Sequence, residues 1–184
     1  RTTGYLMPDL KGLFLQDKVF AYPTEGVWGL GCNPFSEKAV KKLINLKKRP
    51  KNKGIIVLAG SLQQLLPFTQ HLSEKLKKRM NSKWPGPHTW LVPSSPDIPK
   101  WLIGPTGLVA LRWSNHKTVI ELTESLEMPI CSSSANISGQ EPAKNLEEIR
   151  TFFGNKVLII EGELGALKKP TPVQNLESKE WLRK

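Results

Sequence analysis

The sequence has little cysteine and no long apolar run. Its two cysteines, Cys32 and Cys131, belong to no C-x-x-C pair, so neither a disulfide framework nor a structural zinc site is predicted. Two buried free thiols are the preferred interpretation, with a single bridge left open. The longest apolar runs, such as 55–59, fall far short of the ~20 residues that span a bilayer. With no signal-peptide pattern at the start, we expect a cytoplasmic protein without a membrane partner.

Acidic residues are scarce, since 16 Asp and Glu stand against 27 Lys and Arg and give a net charge of +11. A basic surface attracts phosphate groups, so nucleotides or nucleic acids are the expected partners. The alternative is that the charge serves solubility alone. Its distribution favours a partner, because eight Lys or Arg and no acidic residue lie between Lys38 and Lys53.

Metal-ligand clusters are also missing from the sequence. The three histidines, His71, His88 and His116, are isolated, so no metal site is predicted, and we interpret them as surface or edge residues. Internal repeats, low-complexity stretches and linker-like segments are absent as well. Residues 1–184 are therefore expected to form one domain.

Strand-like and helix-like segments alternate along the chain, which predicts an α/β sheet with parallel or mixed pairing. Helices are predicted from apolar positions at 3.6-residue spacing and from capping residues such as Ser36 and Asn145. The predicted strands are 18–22, 54–59, 88–92, 108–112, 129–132 and 156–161, and the predicted helices are 36–48, 61–68, 73–82, 115–126 and 145–153.

Three loops next to predicted strands carry residues suited to ligand binding. The first, 22–32, reads Tyr-Pro-Thr-Glu-Gly-Val-Trp-Gly-Leu-Gly-Cys, and its glycines allow close backbone approach to a ligand or a positive φ. Its spacing matches neither a dinucleotide fingerprint nor a P-loop. A glycine-rich turn without a ligand is the alternative.

The second loop, 46–54, is rich in lysine and arginine, including Lys47, Arg49 and Lys53. Guanidinium and ammonium groups neutralise a triphosphate, which carries about four negative charges. The alternative is compensation of the helix dipole, but five cations between residues 47 and 53 exceed that need.

The third loop, 131–139, reads Cys-Ser-Ser-Ser-Ala-Asn-Ile-Ser-Gly and offers hydroxyl and amide donors to phosphate or carboxylate oxygens. A capped turn is the alternative. Two further strand-edge segments, 84–90 and 109–113, each place one polar residue, Thr89 or Arg112, in an apolar run. A buried arginine there requires a partner.

Five segments in the same order resemble the YrdC/TsaC family of threonylcarbamoyl-AMP synthases, in its short bacterial form. They are Pro-Thr-Glu-Gly-Val-Trp-Gly-Leu-Gly, Leu-Lys-Lys-Arg-Pro with a later Lys-Gly, Trp-Pro-Gly-Pro-His-Thr, Ala-Leu-Arg, and Ser-Ser-Ala-Asn-Ile-Ser-Gly. The resemblance covers almost the whole chain. It implies an open, twisted, mixed α/β sheet with flanking helices and a basic concave face.

The resemblance also implies roles for individual residues. The family's Lys-x-Arg and Ser-x-Asn pairs fall on Lys47, Arg49, Ser134 and Asn136, which are the implied catalytic residues. The implied substrate-binding residues are Thr24 for threonine, Lys53, Thr89 and Ser132 on the ATP side, Arg112 near threonine or nucleotide, and Thr171 and Arg183 near the C-terminus.

The implied activity is that of a nucleotidyltransferase in tRNA modification. L-threonine, bicarbonate or CO2, and ATP would give threonylcarbamoyl-adenylate and pyrophosphate, with Mg²⁺ held mainly by the ATP phosphates. Separate proteins would then transfer the group to the adenosine next to the tRNA anticodon. The alternative is an RNA-binding module without catalysis, whose basic face holds tRNA or double-stranded RNA.

Overall fold

The computed structural model describes residues 7–48, 55–167 and 169–184. Within these ranges α-helices are interspersed with β-strands, and short 3₁₀ turns lie in some of the connections. The helices are α1 (Met7–Leu15), α2 (Glu37–Leu46), α3 (Glu74–Asn81), α4 (Lys117–Leu126) and α5 (Leu146–Phe153). The strands are β1 (Phe20–Tyr22), β2 (Gly29–Cys32), β3 (Ile56–Ala59), β4 (Thr89–Pro93), β5 (Leu108–Trp113), β6 (Ile130–Ser134), β7 (Leu158–Ile159), β8 (Val173–Asn175) and β9 (Trp181–Arg183).

All of these strands form one mixed sheet in the order β7-β1-β2-β6-β3-β5-β4-β8-β9. The pairs β1–β7, β3–β5 and β4–β8 are parallel, and the other neighbours are antiparallel. The mixed α/β sheet with flanking helices predicted from the sequence is therefore confirmed.

Helix starts follow the predicted capping residues. Ser36 Oγ accepts a hydrogen bond from Ala39 N–H at 3.1 Å and fixes the start of α2, as expected of an N-cap serine. Asn145 Oδ1 caps α5 by accepting from Glu148 N–H at 2.9 Å. The predicted capping box is shifted by one residue, because the Glu148 carboxylate accepts from Lys144 N–H instead of the N–H of the capping residue.

Four elements were missed by the sequence analysis: α1, β2, β8 and β9. Strand β2 was interpreted as part of a glycine-rich loop, since glycine disfavours strands in isolation. It lies instead inside the sheet between β1 and β6. The predicted helix at 61–68 is two 3₁₀ turns, Leu62–Gln64 and Leu66–Phe68.

The core lies on both faces of the sheet. In β3, Val57 and Ala59 belong to a cluster that includes residues of α2 and α5, while Leu58 belongs to a cluster that includes residues of α1 and α4. Side chains of a strand alternate between faces, so these two helix pairs cover opposite faces. A strand buried on both sides is what the apolar run at 55–59 predicts.

The two cysteines lie opposite each other on β2 and β6, and both are buried free thiols, as predicted. Burial, followed by the nearby Cys32 thiol, raises the pKa of the Cys131 thiol well above its usual range. Among the helices of the described ranges, none has the length and apolar character needed to cross a membrane.

Candidate functional site

A cavity of about 480 Å³ opens on the α1/α4 face of the sheet, within the range of small-molecule sites. Side chains of a strand alternate between the two faces of the sheet. Leu111 and Cys131 belong to the cluster on the α2/α5 face, so the next residues, Arg112 and Ser132, lie on the α1/α4 face. The polar residues lining it are Thr24, Arg112, Ser132, Ser133, Ser134, Lys169, Thr171 and Arg183; its larger apolar ones include Val27, Trp28, Ile56, Leu91, Val173 and Leu182.

The lining has one sign of charge. Arg112, Lys169 and Arg183 supply cations, and none of the described lining residues is a carboxylate. Serine and threonine hydroxyls supply hydrogen-bond donors around them. Cations and neutral donors in a partly enclosed site favour anionic ligands such as phosphate and carboxylate groups.

Thr24 lies in the connection between β1 and β2, where it is buried and lines the cavity. Its Oγ1 donates to the carbonyl of Val27 at 2.7 Å and accepts from Gly26 N–H at 3.3 Å. The connection is held from behind by residues 165–167, since Gly165 N–H donates to the Thr24 carbonyl at 2.8 Å. These bonds fix the Thr24 hydroxyl beside the cavity.

Arg112 on β5 has the partner that its burial requires. Its Nη2 lies 3.7 Å from Glu25 Oε1, and the side chains are only 6% and 11% exposed, respectively. Both Glu25 carboxylate oxygens are buried and make no hydrogen bond to the described residues, so the contact with Arg112 is an ion pair. Glu25 therefore balances the arginine from behind while Arg112 lines the cavity.

Lys47, Ser134 and Asn136 form one hydrogen-bonded cluster at the cavity edge. Lys47 is 2% exposed, and its ammonium donates to the Ser134 carbonyl and, at 2.9 Å, to Asn136 Oδ1. Ser134 Oγ also donates to Asn136 Oδ1, at 2.6 Å. The structure thus brings three predicted catalytic residues together, although Ser134 alone of the three lines the cavity.

The end of α2 and the loop after β6 are joined by their backbones as well. Lys47 is the C-cap of α2, and its carbonyl accepts from Ser138 N–H at 2.7 Å. Asn136 Nδ2 donates to the carbonyls of Ile137 and Gln140, at 3.1 and 2.9 Å. Helix packing and these bonds together determine where Lys47 meets Ser134.

Thr171 and Arg183 line the side of the cavity next to β8 and β9, away from Ser134 on β6. Arg183 Nε donates to the Thr171 carbonyl at 2.8 Å, which joins β9 to the loop before β8. Thr89 is fully buried and does not line the cavity; its hydroxyl lies 3.2 Å from that of Thr171. Arg49 and Lys53 lie outside the described residues.

Sequence reasoning missed several residues of the site. Lys169 lies in the 168–172 segment, which the prolines led us to interpret as a surface loop, yet it supplies one of the three cations of the lining. Trp28 and Glu25 lie within the first motif but were given no role. Leu182 lies next to Arg183 in the missed strand β9.

Two glycines of the first motif, Gly26 and Gly29, line the cavity, and those of β2 also have a packing role that the sequence did not predict. Gly29 and Gly31 lie in β2, and neither has a positive φ. A Cβ at Gly29 would lie 2.9 Å from Tyr22 Cζ, and one at Gly31 would lie 2.7 Å from Tyr22 Cε1. They make room for the Tyr22 ring, which is fully buried, and burial raises the pKa of its phenol well above the usual range.

One histidine departs from its predicted setting. His88 is buried, with its ring centroid 4.3 Å from that of Trp90 and 5.7 Å from that of Trp181. Burial, more than the nearby Lys83 charge, holds the pKa of His88 below its usual value. Among the described residues no group of three or more His, Cys, Asp or Glu is arranged to hold a metal ion.

The profile of the Sua5/YciO/YrdC family, described as "Telomere recombination", matches residues 13–184. The chain belongs to this family. The threonylcarbamoyl-AMP synthase of Photorhabdus laumondii is 44% identical over 169 residues, which cover 91% of this chain and 89% of that protein. The synthase of Pseudoalteromonas atlantica is 41% identical over 172 residues, which cover 92% of each chain. The resemblance to the YrdC/TsaC family is confirmed.

Solved structures of the Sua5/YciO/YrdC family share the fold. Pyrococcus abyssi Sua5 complexed with L-threonine superposes with a TM-score of 0.84 at 31% identity, over 92% of this chain and 50% of that one. This chain therefore spans about half of that protein. Escherichia coli YciO superposes with a TM-score of 0.82 over 100% of this chain and 94% of that one, and at 20% identity it supports the fold alone.

Proposed function

We propose that this protein is a nucleotidyltransferase that makes L-threonylcarbamoyl-adenylate from L-threonine, bicarbonate or CO2, and ATP. The relatives named threonylcarbamoyl-AMP synthase align along nearly all of the chain, and a Sua5 structure contains L-threonine. The amine of threonine takes up CO2 to form a carbamate. A carbamate oxygen then attacks the α-phosphorus of ATP, and pyrophosphate leaves.

The observation that carries this proposal is the composition of the cavity. Three cations, the hydroxyls of Thr24, Ser132 and Thr171, and no described carboxylate line about 480 Å³. The ligands of the proposed reaction are anionic, because threonine carries a carboxylate and ATP about four negative charges at its phosphates. A site that pairs both with fixed cations and donors stabilises the charge that develops at the α-phosphate.

The residues present suit a reaction governed by positioning. Phosphoryl transfer asks the protein mainly to align the reactants and to neutralise charge. Arg112 is paired with Glu25, and Ser134 is hydrogen-bonded to Lys47 and Asn136, so both residues have partners within the protein before the ligands bind. Mg²⁺ would be carried by the ATP phosphates and water. The described lining fits that arrangement, because it offers hydroxyls to the phosphates and no carboxylate to compete for the ion.

The test is product formation with each substrate omitted in turn. Purified protein with ATP, Mg²⁺, L-threonine and bicarbonate is expected to release pyrophosphate and to form threonylcarbamoyl-adenylate, detected by mass spectrometry. Omission of threonine or of bicarbonate is expected to abolish both signals. Pyrophosphate release that continues without threonine would contradict the proposed function.

RNA binding is the second candidate function, and a basic cavity favours it. Lys18, Lys42, Lys48 and Lys156 line a second cavity of about 620 Å³, and all four are exposed. In this proposal these lysines contact tRNA phosphates, and separate proteins complete the transfer to the adenosine next to the anticodon. Phosphate contacts release counterions, so affinity falls with salt.

The RNA proposal is tested by titrating tRNA at several salt concentrations. Log affinity is expected to fall linearly with log salt concentration, with a slope near the number of phosphates contacted. Charge reversal in Lys42→Glu is expected to weaken binding more than Lys117→Glu, an exposed lysine elsewhere. Affinity that does not change with salt would contradict this candidate.

A further inference from the structure

We propose that Tyr22 is a positioning residue, which acts through Ser132 on the ligand of the cavity. Tyr22 Oη donates a hydrogen bond to Ser132 Oγ at 2.5 Å, in a fully buried contact. Ser132 lines the cavity, whereas Tyr22 does not. The inference rests on the proposed function, because its effect is on the adenylate-forming ligands.

The contact crosses an intervening strand. Tyr22 belongs to β1 and Ser132 to β6, and β2 lies between them. Two strand spacings make about 9.6 Å, a distance that a tyrosine can span only if the strand beneath its ring is free of side chains on that face. Gly29 and Gly31 provide this, because a Cβ at either position would lie within 3.0 Å of the ring.

The cost of this arrangement indicates that it serves a purpose beyond filling space. Glycine weakens a strand interior, and here two glycines occupy one face of a four-residue strand that is paired on both sides, by β1 and by β6. A phenylalanine at position 22 would fill the same space against the same glycines. The hydroxyl is the part of Tyr22 that reaches Ser132, so the hydroxyl carries the inferred role.

The direction of the hydrogen bond decides what Ser132 presents to the cavity. A phenol is a stronger acid than an alcohol, and burial keeps Tyr22 protonated by raising its pKa, so Tyr22 is the donor. Ser132 Oγ then has its own proton left, and no other hydrogen bond of its hydroxyl is found among the described residues. That proton is available to an anionic oxygen in the cavity, and the donated bond from Tyr22 polarises it.

The test is a double-mutant cycle of Tyr22→Phe and Ser132→Ala in steady-state kinetics. Tyr22→Phe is expected to lower kcat/KM about tenfold, which corresponds to about 1.4 kcal/mol. The loss should fall on the same substrate and the same parameter, KM or kcat, as in Ser132→Ala. In the Ser132→Ala background, Tyr22→Phe should have little further effect, because residues that act through one contact are not additive.

Two further variants separate positioning from stability. Thr123→Val removes another buried hydroxyl, one that accepts from Gly60 N–H and donates to the Val119 carbonyl; it should lower the melting temperature and leave kcat/KM unchanged. Gly31→Ala retains both site hydroxyls but displaces the Tyr22 ring, and it should reproduce the kinetic defect of Tyr22→Phe.

The experiment distinguishes a failure of the role proposed for Tyr22 from a failure of the proposed function. If the unaltered protein shows no threonine-dependent pyrophosphate release, the proposed function itself is wrong. If that protein is active and Tyr22→Phe retains its full kcat/KM, or if the two substitutions are additive, Tyr22 does not act through Ser132. A lowered melting temperature with unchanged kinetics would likewise reduce Tyr22 to a core residue.

Discussion

Lys47→Met is expected to destabilise the folded protein although it removes a charge from the interior. Lys47 is 2% exposed, and its ammonium donates to the Ser134 carbonyl and to Asn136 Oδ1. Methionine fills a similar volume without a donor. The substitution therefore leaves two partly buried acceptors without their charged partner, one at the end of β6 and one in the loop that follows it.

The magnitude follows from the balance of two opposing effects. A hydrogen bond to a charged group contributes about 1.5–3 kcal/mol, and the bonds to the Ser134 carbonyl and to Asn136 Oδ1 are lost together with a longer one to Ser134 Oγ. The desolvation cost of the buried ammonium is regained at the same time. We expect a net loss of about 2 kcal/mol, which for a chain of 184 residues lowers the melting temperature by about 4–8 °C.

Thermal unfolding followed by circular dichroism measures this effect, and Lys41→Met is the matched control. Lys41 lies on the same helix, but its only described partner is an exposed ion pair with Glu37, which contributes little. Activity should fall in Lys47→Met and not in Lys41→Met, because the Ser134–Asn136 cluster loosens. Equal melting temperatures for the two variants would refute the structural role assigned to Lys47.

Three further predictions concern the site and its surroundings. Asn136→Ala should abolish threonine-dependent pyrophosphate release yet leave tRNA retention unchanged, since a neutral amide adds no long-range field; surviving activity would exclude its catalytic role. Arg112→Ala should lower kcat/KM about 100-fold through loss of a cation, and Glu25→Gln should lower it less. Equal kcat/KM values for the unaltered protein and both variants would contradict this. Because burial lowers the pKa of folded His88, its neutral form contributes stability above about pH 6.5. That contribution is lost as pH falls through the lowered pKa, so His88→Gln should flatten the acid side of a melting-temperature profile.

Local sequence signals predicted much of the fold. The apolar stripe and Ser36 cap predicted α2, Asn145 predicted the start of α5, and the run at 55–59 predicted a buried strand. These signals are local because capping and side-chain periodicity depend on residues within one or two turns. Element boundaries were correspondingly close for most of the described helices.

Strands that depend on distant partners were not predictable in this way. In β2, Gly29 and Gly31 have no β-propensity of their own, and the strand exists because β1 and β6 pair with it on either side. The short strands β8 and β9 extend the sheet beyond β4 through pairing alone. Such a strand forms because of its pairing partners, so the β-propensity of its own residues does not predict it.

The sequence by itself determined the chemical character of the site: a basic chain, hydroxyl-rich and glycine-rich loops beside strands, and a family resemblance in five ordered segments. Only the tertiary structure decided which of those residues meet. It brings Lys47 to Ser134 across 87 positions, sets Glu25 behind Arg112, and adds Lys169 to the cavity lining. It also places Thr89 behind the lining, where its hydroxyl lies 3.2 Å from that of Thr171. The physical reason is that a residue's type is fixed by the chain, whereas its neighbours are fixed by strand order and register, which depend on packing across the whole sheet.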